Sequence, residues 1–307
     1  MKNIVWCVDP NDEQIDKNQT LKALEAFTTG MGGVNITPLY VLSPKSTQLS
    51  RFAQTSLVEK LLPWAKKQLQ NYIDELPASE LNINTPEVLF NPKHSLRHDV
   101  LKAIEFAESI KAETIFCSTH SKKPWNLGSF AETMVLKSKI PTLLLQPKSQ
   151  VSEYFDNIMF PTDFSSSSKY ALKNLIPLAK KWGSQIHIVH QMLNPVDPIV
   201  ESGVLTMGGG WTSPETYNQS IKEYANEEFN HMKEICNKDN IECHTHLLEP
   251  SSFFTQEMVD FASENEIQLI AISSSADDYL SIIVGSHCRD LIRNSKIPMW
   301  IQHIENN

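Results

Sequence analysis

Two tandem α/β domains, each a doubly wound sheet with helices on both faces, are what this sequence of 307 residues predicts. Three observations carry that expectation. Strand-like and helix-like stretches alternate five times in each half, the pattern of a parallel sheet built from βαβ units. The strand candidates are near-continuous apolar runs, as in Glu113-TIF and Gln268-LIAI, which suits burial on both faces. The chain also repeats itself, and a repeat decides how many folding units there are. Ser129 opens SFAETMVLKSKIP and Ser286 opens SHCRDLIRNSKIP, 157 positions later, each after a glycine. Asn3-Ile4-Val5-Trp6-Cys7-Val8-Asp9 matches Asn157-Ile158-Met159-Phe160-Pro161-Thr162-Asp163 at an offset of 154. The domains are therefore placed at 1–147 and 155–307, joined by the polar stretch Pro147–Tyr154. Halves of roughly 150 residues are long enough for separate cores.

The elements follow in order. Asn3–Val8 is a short apolar strand ended by Asp-Pro. Glu13–Thr29 has helical spacing and stops at Gly30. Val34–Leu42 reads as a strand. Thr55–Leu76 is an amphipathic helix with Pro63 as an internal defect or kink. Asn84–Phe90 is a strand, His94–Ile110 a helix, Glu113–Ser118 a strand, Ser129–Lys139 a helix and Thr142–Gln146 the fifth strand. The second half gives strand Asn157–Pro161, helix Ser166–Trp182 and strand Gln185–His190. A loop with Gly208-Gly209-Gly210 leads to helix Pro214–Lys238, strand Glu242–Leu248, helix Ser252–Glu264, strand Gln268–Ser273, helix Ser286–Asn294 and strand Met299–Gln302. In the strand order 3-2-1-4-5 the first and fourth strands adjoin, so Cys7 and Cys117 are expected as sheet neighbours.

Composition narrows the function. With 41% hydrophobic and 21% charged residues the chain is an ordinary globular protein. A net charge of −9 argues against nucleic acid as a partner, because binding a phosphate backbone takes a basic face. No apolar run reaches the roughly 18 residues of a membrane helix, and the N-terminus turns polar too early for a signal peptide. Five scattered cysteines suit a reducing compartment. The expectation is a cytoplasmic protein with no membrane partner.

The stretch Asn157-IMFPTDFSSSSKYALKNLIPLAKKWGSQIHIVHQ closely resembles the opening of a universal stress protein domain, and both closing Gly-Ser…SKIP segments resemble the same family's last loop, helix and strand. The resemblance covers the whole chain as two copies. It implies α/β domains that commonly bind ATP or AMP through a glycine, two residues, a glycine, nine residues, then Gly-Ser. Glycines let backbone amides approach phosphates, and the helix beyond presents its positive end. Gly128-Ser129 and Gly285-Ser286 keep the last pair. Counting back ten and thirteen places gives Ser118 and Ile115, and Ser275 and Ile272, none of them glycine.

The halves have kept different remnants of that site. Lys122 and Lys123 are cations suited to phosphate in the first half, whose first strand ends at Asp9-Pro10-Asn11. Asp163-Phe-Ser165 survives in the second, its aspartate resembling an adenosine-contacting group. Asp277 and Asp278 oppose a phosphate there, since like charges about 6 Å apart cost roughly 3 kcal/mol at an effective dielectric near 20. The resemblance thus implies a non-catalytic stress-response binding or regulatory protein with a degenerate nucleotide site in each half. The alternatives are an ATP- or AMP-binding stress protein using one half, and a weak nucleotide hydrolase. Neither a particular small ligand nor a protein partner can be read from these residues.

Each candidate also has a plainer role. Asp9 and Asp163 suit helix capping, Gly128-Ser129 and Gly285-Ser286 suit bare helix starts, and Lys122-Lys123 suits a solvated loop. His244 and His246 share one face of a strand, the weak beginning of a metal site, but no CxxC or HExxH spacing accompanies them. Cys7 and Cys117 read as inert core thiols. No GxSxG elbow or carboxylate pair is visible, so no catalytic residue is assigned.

In each SKIP copy the serine and lysine are expected in the last helical turn, with proline ending the helix and opening a strand. Two apolar edge strands, Thr142–Gln146 and Met299–Gln302, are a hazard if left bare. They are expected to pair antiparallel across the domain boundary about a pseudo-twofold axis, with Trp300 and Leu144 filling the seam.

Overall fold

The computed structural model describes residues 2–12, 16–43, 60–93, 95–118, 130–146, 149–192, 214–251, 253–275, 290–292 and 295–304. The architecture is α/β, with mostly parallel strand pairing. The chain divides into two compact units, Met1–Phe155 with Ser273–Asn307, and Asp156–Ile272. The repeat boundaries at 1–147 and 155–307 differ from this division, which assigns the last 35 residues (273–307) to the first unit.

The first unit contains β1 (Lys2–Cys7), α1 (Lys17–Thr28), β2 (Val34–Leu42), α2 (Leu62–Asp74), β3 (Asn82–Ile83), β4 (Glu87–Phe90), α3 (Leu96–Ser109), β5 (Ala112–Ser118), α4 (Phe130–Lys137) and β6 (Thr142–Leu145). Its strands run β3-β2-β1-β5-β6, with β4 also on β2, all parallel. This is the order 3-2-1-4-5, with the third strand in two pieces. The sequence suggested one strand over Asn84–Phe90; the observed break has a local cause. β3 pairs with Asn35 and Ile36, β4 with Leu39 to Leu42, and between them stands Pro38, which has no N–H to donate. Asn84 bridges the gap, its N–H reaching the Ile36 carbonyl and its side chain the Thr37 hydroxyl.

Pro63 does not kink a long helix. α2 begins at Leu62 with the proline in its first turn, where a missing N–H costs nothing; residues 55–59 lie outside the described set. α1 is capped by Asp16, whose carboxylate accepts from the N–H groups of Asn18 and Gln19. Its buried face, Thr20, Leu21, Ala23, Leu24, Ala26 and Phe27, follows helical spacing.

The second unit holds β7 (Asn157–Pro161), α5 (Ser166–Trp182), β8 (Gln185–Gln191), α6 (Pro214–Asn237), β9 (Cys243–Leu248) and α7 (Phe254–Glu264); the strand β10 (Leu269–Ser275) begins in it. The order β10-β7-β8-β9 repeats that of the first half. The bounds of β7 and α5 are those read from sequence. Their ends are strongly signalled, by Ser165 as N-cap and by Gly183 at φ 72°, the left-handed stop that only glycine adopts freely.

β11 (Met299–Ile304) pairs antiparallel with β6, placing Met299 opposite Leu144, Trp300 opposite Leu143 and Ile301 opposite Thr142. Both strands belong to the first unit, and these six side chains are all buried. Each SKIP serine closes its helix, the Ser138 N–H reaching the Met134 carbonyl and the Ser295 N–H the Leu291 carbonyl, both at 2.8 Å, whereas Lys139 and Lys296 lie beyond the helical turns. α4 ends at Lys137, and Ser138 folds a turn of its own: its Oγ donates to the Ile140 carbonyl at 2.8 Å and accepts from the Ile140 N–H at 3.1 Å. Ser295 does the same with Ile297, at 3.3 and 3.0 Å. A serine hydroxyl that closes the backbone two residues on competes with helix propagation, so the helix stops before the proline.

Candidate functional site

In a doubly wound sheet, ligands bind beyond the carboxyl ends of the strands where the order reverses. In the first unit that point lies between β1 and β5. Their register pairs Cys7 with Cys117, so Asp9 and Ser118 follow at the adjacent carboxyl ends. Asp9 makes a local turn, its Oδ1 accepting from the Asn11 N–H at 3.0 Å. It does not cap α1; Asp16 does. Ser118 is buried. Lys122, Lys123, Gly128 and Ser129 lie outside the described residues, as do Gly285 and Ser286. Ser275 closes β10.

The second unit shows the preserved Asp-Phe-Ser corner in full. Asp163 Oδ1 accepts from the Ser165 N–H at 3.0 Å and from Ser168 Oγ at 2.6 Å. Burial alone would raise this carboxyl, but the hydrogen bonds from Ser165 and Ser168 outweigh it and hold it below its ordinary range. Ser165, not Asp163, caps α5, its Oγ accepting from the Ser168 N–H at 3.1 Å. The hydrogen bonds from the Ser165 N–H and from Ser168 Oγ both fall on Oδ1.

Between the two lies Phe164, at φ 61°, a conformation that bulky residues rarely adopt. Aromatic packing holds it there. Its ring centroid is 4.3 Å from His190, 5.1 Å from Phe229 and 6.1 Å from Tyr224. His190 is fixed in turn by a 2.8 Å hydrogen bond to the Thr162 carbonyl, and burial lowers its pKa. Phe164 and His190 were not among the sequence candidates, although both lie in the stretch that carried the resemblance. The signal available was the Phe between Asp and Ser, which has no helical or strand period to explain it.

His244 and His246 acquire a third partner, His187, from the neighbouring strand. His187 Nδ1 and His246 Nε2 are 3.2 Å apart, and the two rings stack at 5.2 Å. His244 Nε2 turns away, to Gln185 at 3.0 Å and Glu242 at 3.2 Å. The nitrogens therefore do not converge, and among the described residues no group of three His, Cys, Asp or Glu side chains is arranged to hold a metal ion.

A polar cluster in the first unit was not foreseen. Buried Asp99 accepts from Ser43 Oγ at 3.0 Å and from Asn91 Nδ2 at 2.6 Å. Ser43 follows β2 and Asn91 follows β4, so the cluster ties α3 to two strand ends.

The fold and this corner define a class: doubly wound α/β domains with an acidic turn and a serine-capped helix at the end of the first strand. Residues 155–303 match the family model described as "Universal stress protein family", and the chain carries a universal stress protein domain there. A curated universal stress protein of Methanocaldococcus jannaschii is 26% identical over 148 residues, spanning 48% of this chain and 81% of the relative. A universal stress protein from Archaeoglobus fulgidus matches in structure with a TM-score of 0.63 at 18% identity, covering 98% of this chain and 96% of its own. A putative universal stress protein from Pseudomonas aeruginosa matches with 0.57 at 10% identity, over 98% and 93%. The two structures bear on the fold alone, and they extend it over the whole chain. No described helix is long and apolar enough to cross a membrane.

Proposed function

We propose that the chain is a non-catalytic stress-response binding or regulatory protein whose nucleotide sites are degenerate in both halves. One observation carries this reading. β5 ends at Ser118 and β10 at Ser275, each ten positions before the Gly-Ser pair. A glycine at the strand end, followed by the family's spacing, would put that pair thirteen positions on. Both loops are three residues short, and the counted first position falls on Ile115 and Ile272, buried strand residues rather than loop glycines. A bulky Cβ-bearing residue in a strand cannot give the close amide approach that phosphate binding uses.

The test is isothermal titration of the full chain with ATP. The expected dissociation constant is weaker than about 100 μM, or about −5.5 kcal/mol of binding. A low-micromolar site would overturn the reading.

A second reading, ATP or AMP binding by the second half, is favoured by Asp163. Its carboxylate is held by its own loop at the carboxyl end of β7, a position from which it could accept from a ribose hydroxyl or an adenine amine. Under that reading Asp163→Asn abolishes whatever nucleotide binding is measured, while Lys122→Ala with Lys123→Ala leaves it unchanged.

A further inference from the structure

Cys236 and Cys243 were read from sequence as scattered thiols, but the turn between α6 and β9 brings them together. Cys236 sits in the last turn of α6 and is fully buried. The helix then closes on itself. The N–H groups of Asp239 and Ile241 both reach the Cys236 carbonyl at 3.1 Å, and Asn240 takes the left-handed conformation at φ 58°. That reversal is a helix stop of the Schellman kind, with Asn in the place usual for glycine. Three residues after Asn240, Cys243 opens β9 opposite Ile186, with Ile186 N–H bonded to the Glu242 carbonyl at 2.9 Å. Backbone hydrogen bonds thus fix both ends of the six-residue connection. The closed turn carries Cys243 back toward Cys236, close enough for each thiol to shift the titration of the other.

The two sulfurs are unequal. Cys243 is half-buried while Cys236 has no exposed surface. Their mutual hydrogen bond favours the Cys243 thiolate, burial opposes it, and the Lys233 cation one turn before Cys236 favours it again; the balance is a lowered Cys243 pKa and a raised Cys236 pKa. A reachable, thiolate-favouring sulfur beside a shielded second thiol is the arrangement of an attacking and a resolving cysteine.

We propose that Cys236 and Cys243 form an oxidation site, which a peroxide converts into an intramolecular disulfide linking the end of α6 to the start of β9. The Cys243 thiolate attacks one peroxide oxygen, breaking the O–O bond; Cys243 becomes a sulfenic acid and hydroxide leaves. Cys236 then gives up its proton, and its sulfur attacks the Cys243 sulfur. The S–S bond forms as the S–O bond breaks, and the second oxygen departs as water. Overall two thiols and one hydrogen peroxide give one disulfide and two waters, with two electrons passing from sulfur to peroxide.

The experiment treats the full-length native protein with a small excess of hydrogen peroxide, alkylates the remaining thiols and maps the peptides by mass spectrometry. The expected product is a Cys236–Cys243 cross-link within one chain, reversed by dithiothreitol, while Cys7 and Cys117 stay reduced. In Cys236→Ser the sulfenic acid has no resolving partner, so dimedone adducts on Cys243 should rise about tenfold. In Cys243→Ser, Cys236 should stay unmodified. Because the wild-type mapping needs no substitution, a variant that misfolds does not spoil the test. A disulfide to Cys288 instead, oxidation of Cys243 to the sulfinic acid with Cys236 still free, or Cys236 reacting first would each overturn the proposal.

Discussion

Mild acid should loosen the second unit through His187. This imidazole is 8% exposed, pairs with His246 at 3.2 Å, and packs against Phe261 of α7. Burial first, then the His246 and His244 charges, push its pKa down from 6.5 to about 4; Glu242 opposes weakly. Lys233 and His244 depress His246 in the same direction, after burial. A histidine depressed in the folded state binds its proton more readily when unfolded. Its contribution is therefore complete above pH 6.5, falls as the pH drops toward 4, and levels off below that. At pH 5 the unfolded imidazole is almost fully protonated and the folded one barely, a difference of about 2 kcal/mol, which solvent screening reduces to about 1. His187→Leu removes the titrating group and, with it, a hydrogen bond worth about 1 kcal/mol at every pH. The assay is native-state hydrogen exchange of the β8 amides, Ile186 to Val189, in both proteins at pH 7.5 and 5.0, corrected for intrinsic exchange rates. The wild type should lose about 1 kcal/mol more than the variant between the two pH values. Equal losses, or a wild type that gains protection in acid, would refute the assignment.

Three further outcomes are expected. Cys7 and Cys117, paired in register and with thiols pushed up by burial (Cys7 to about 12), should resist a thiol reagent until the protein unfolds; rapid labelling of the native protein would contradict the β1–β5 pairing. Ser165→Ala removes the α5 cap and should cost about 1 kcal/mol in urea denaturation, with Ser165→Asp recovering most of it. Leu144→Pro, opposite Met299, should abolish exchange protection of the β11 amides at 299–301 while sparing β8; protection that survives would mean that the β6–β11 ladder does not hold that strand.

Much of the fold was legible because its signals are local. The alternation of apolar strands with helical periods gave the sheet class, and the Ser165 cap and Gly183 stop marked both ends of α5. The repeated SKIP phrase pointed to two like strands, and the adjacency of the strands that carry Cys7 and Cys117 followed from strand order; their register came from the structure. Where neighbouring residues carried competing signals, the reading slipped. Pro63 has the same identity whether it kinks a helix or starts one, and Ser138 can propagate a helix or close its own turn. Pro38 splits the third strand from across the ladder, an effect invisible in the sequence of that strand.

The candidate site divides in the same way. Sequence by itself determined the two-copy α/β plan, the missing phosphate glycines and the Asp-Phe-Ser corner, because backbone propensity and spacing are written in consecutive residues. Only the tertiary structure decided that Asp163 is bound by Ser168, that His187 completes a histidine cluster 59 positions from His246, and that Asp99 takes hydrogen bonds from Ser43 and Asn91. The approach of Cys236 to Cys243 depends on one left-handed residue, Asn240, between a helix and a strand. Hydrogen bonding, desolvation and thiol contact act over a few ångströms, and which residues come that close is fixed by strand register and helix packing, which chain spacing does not encode.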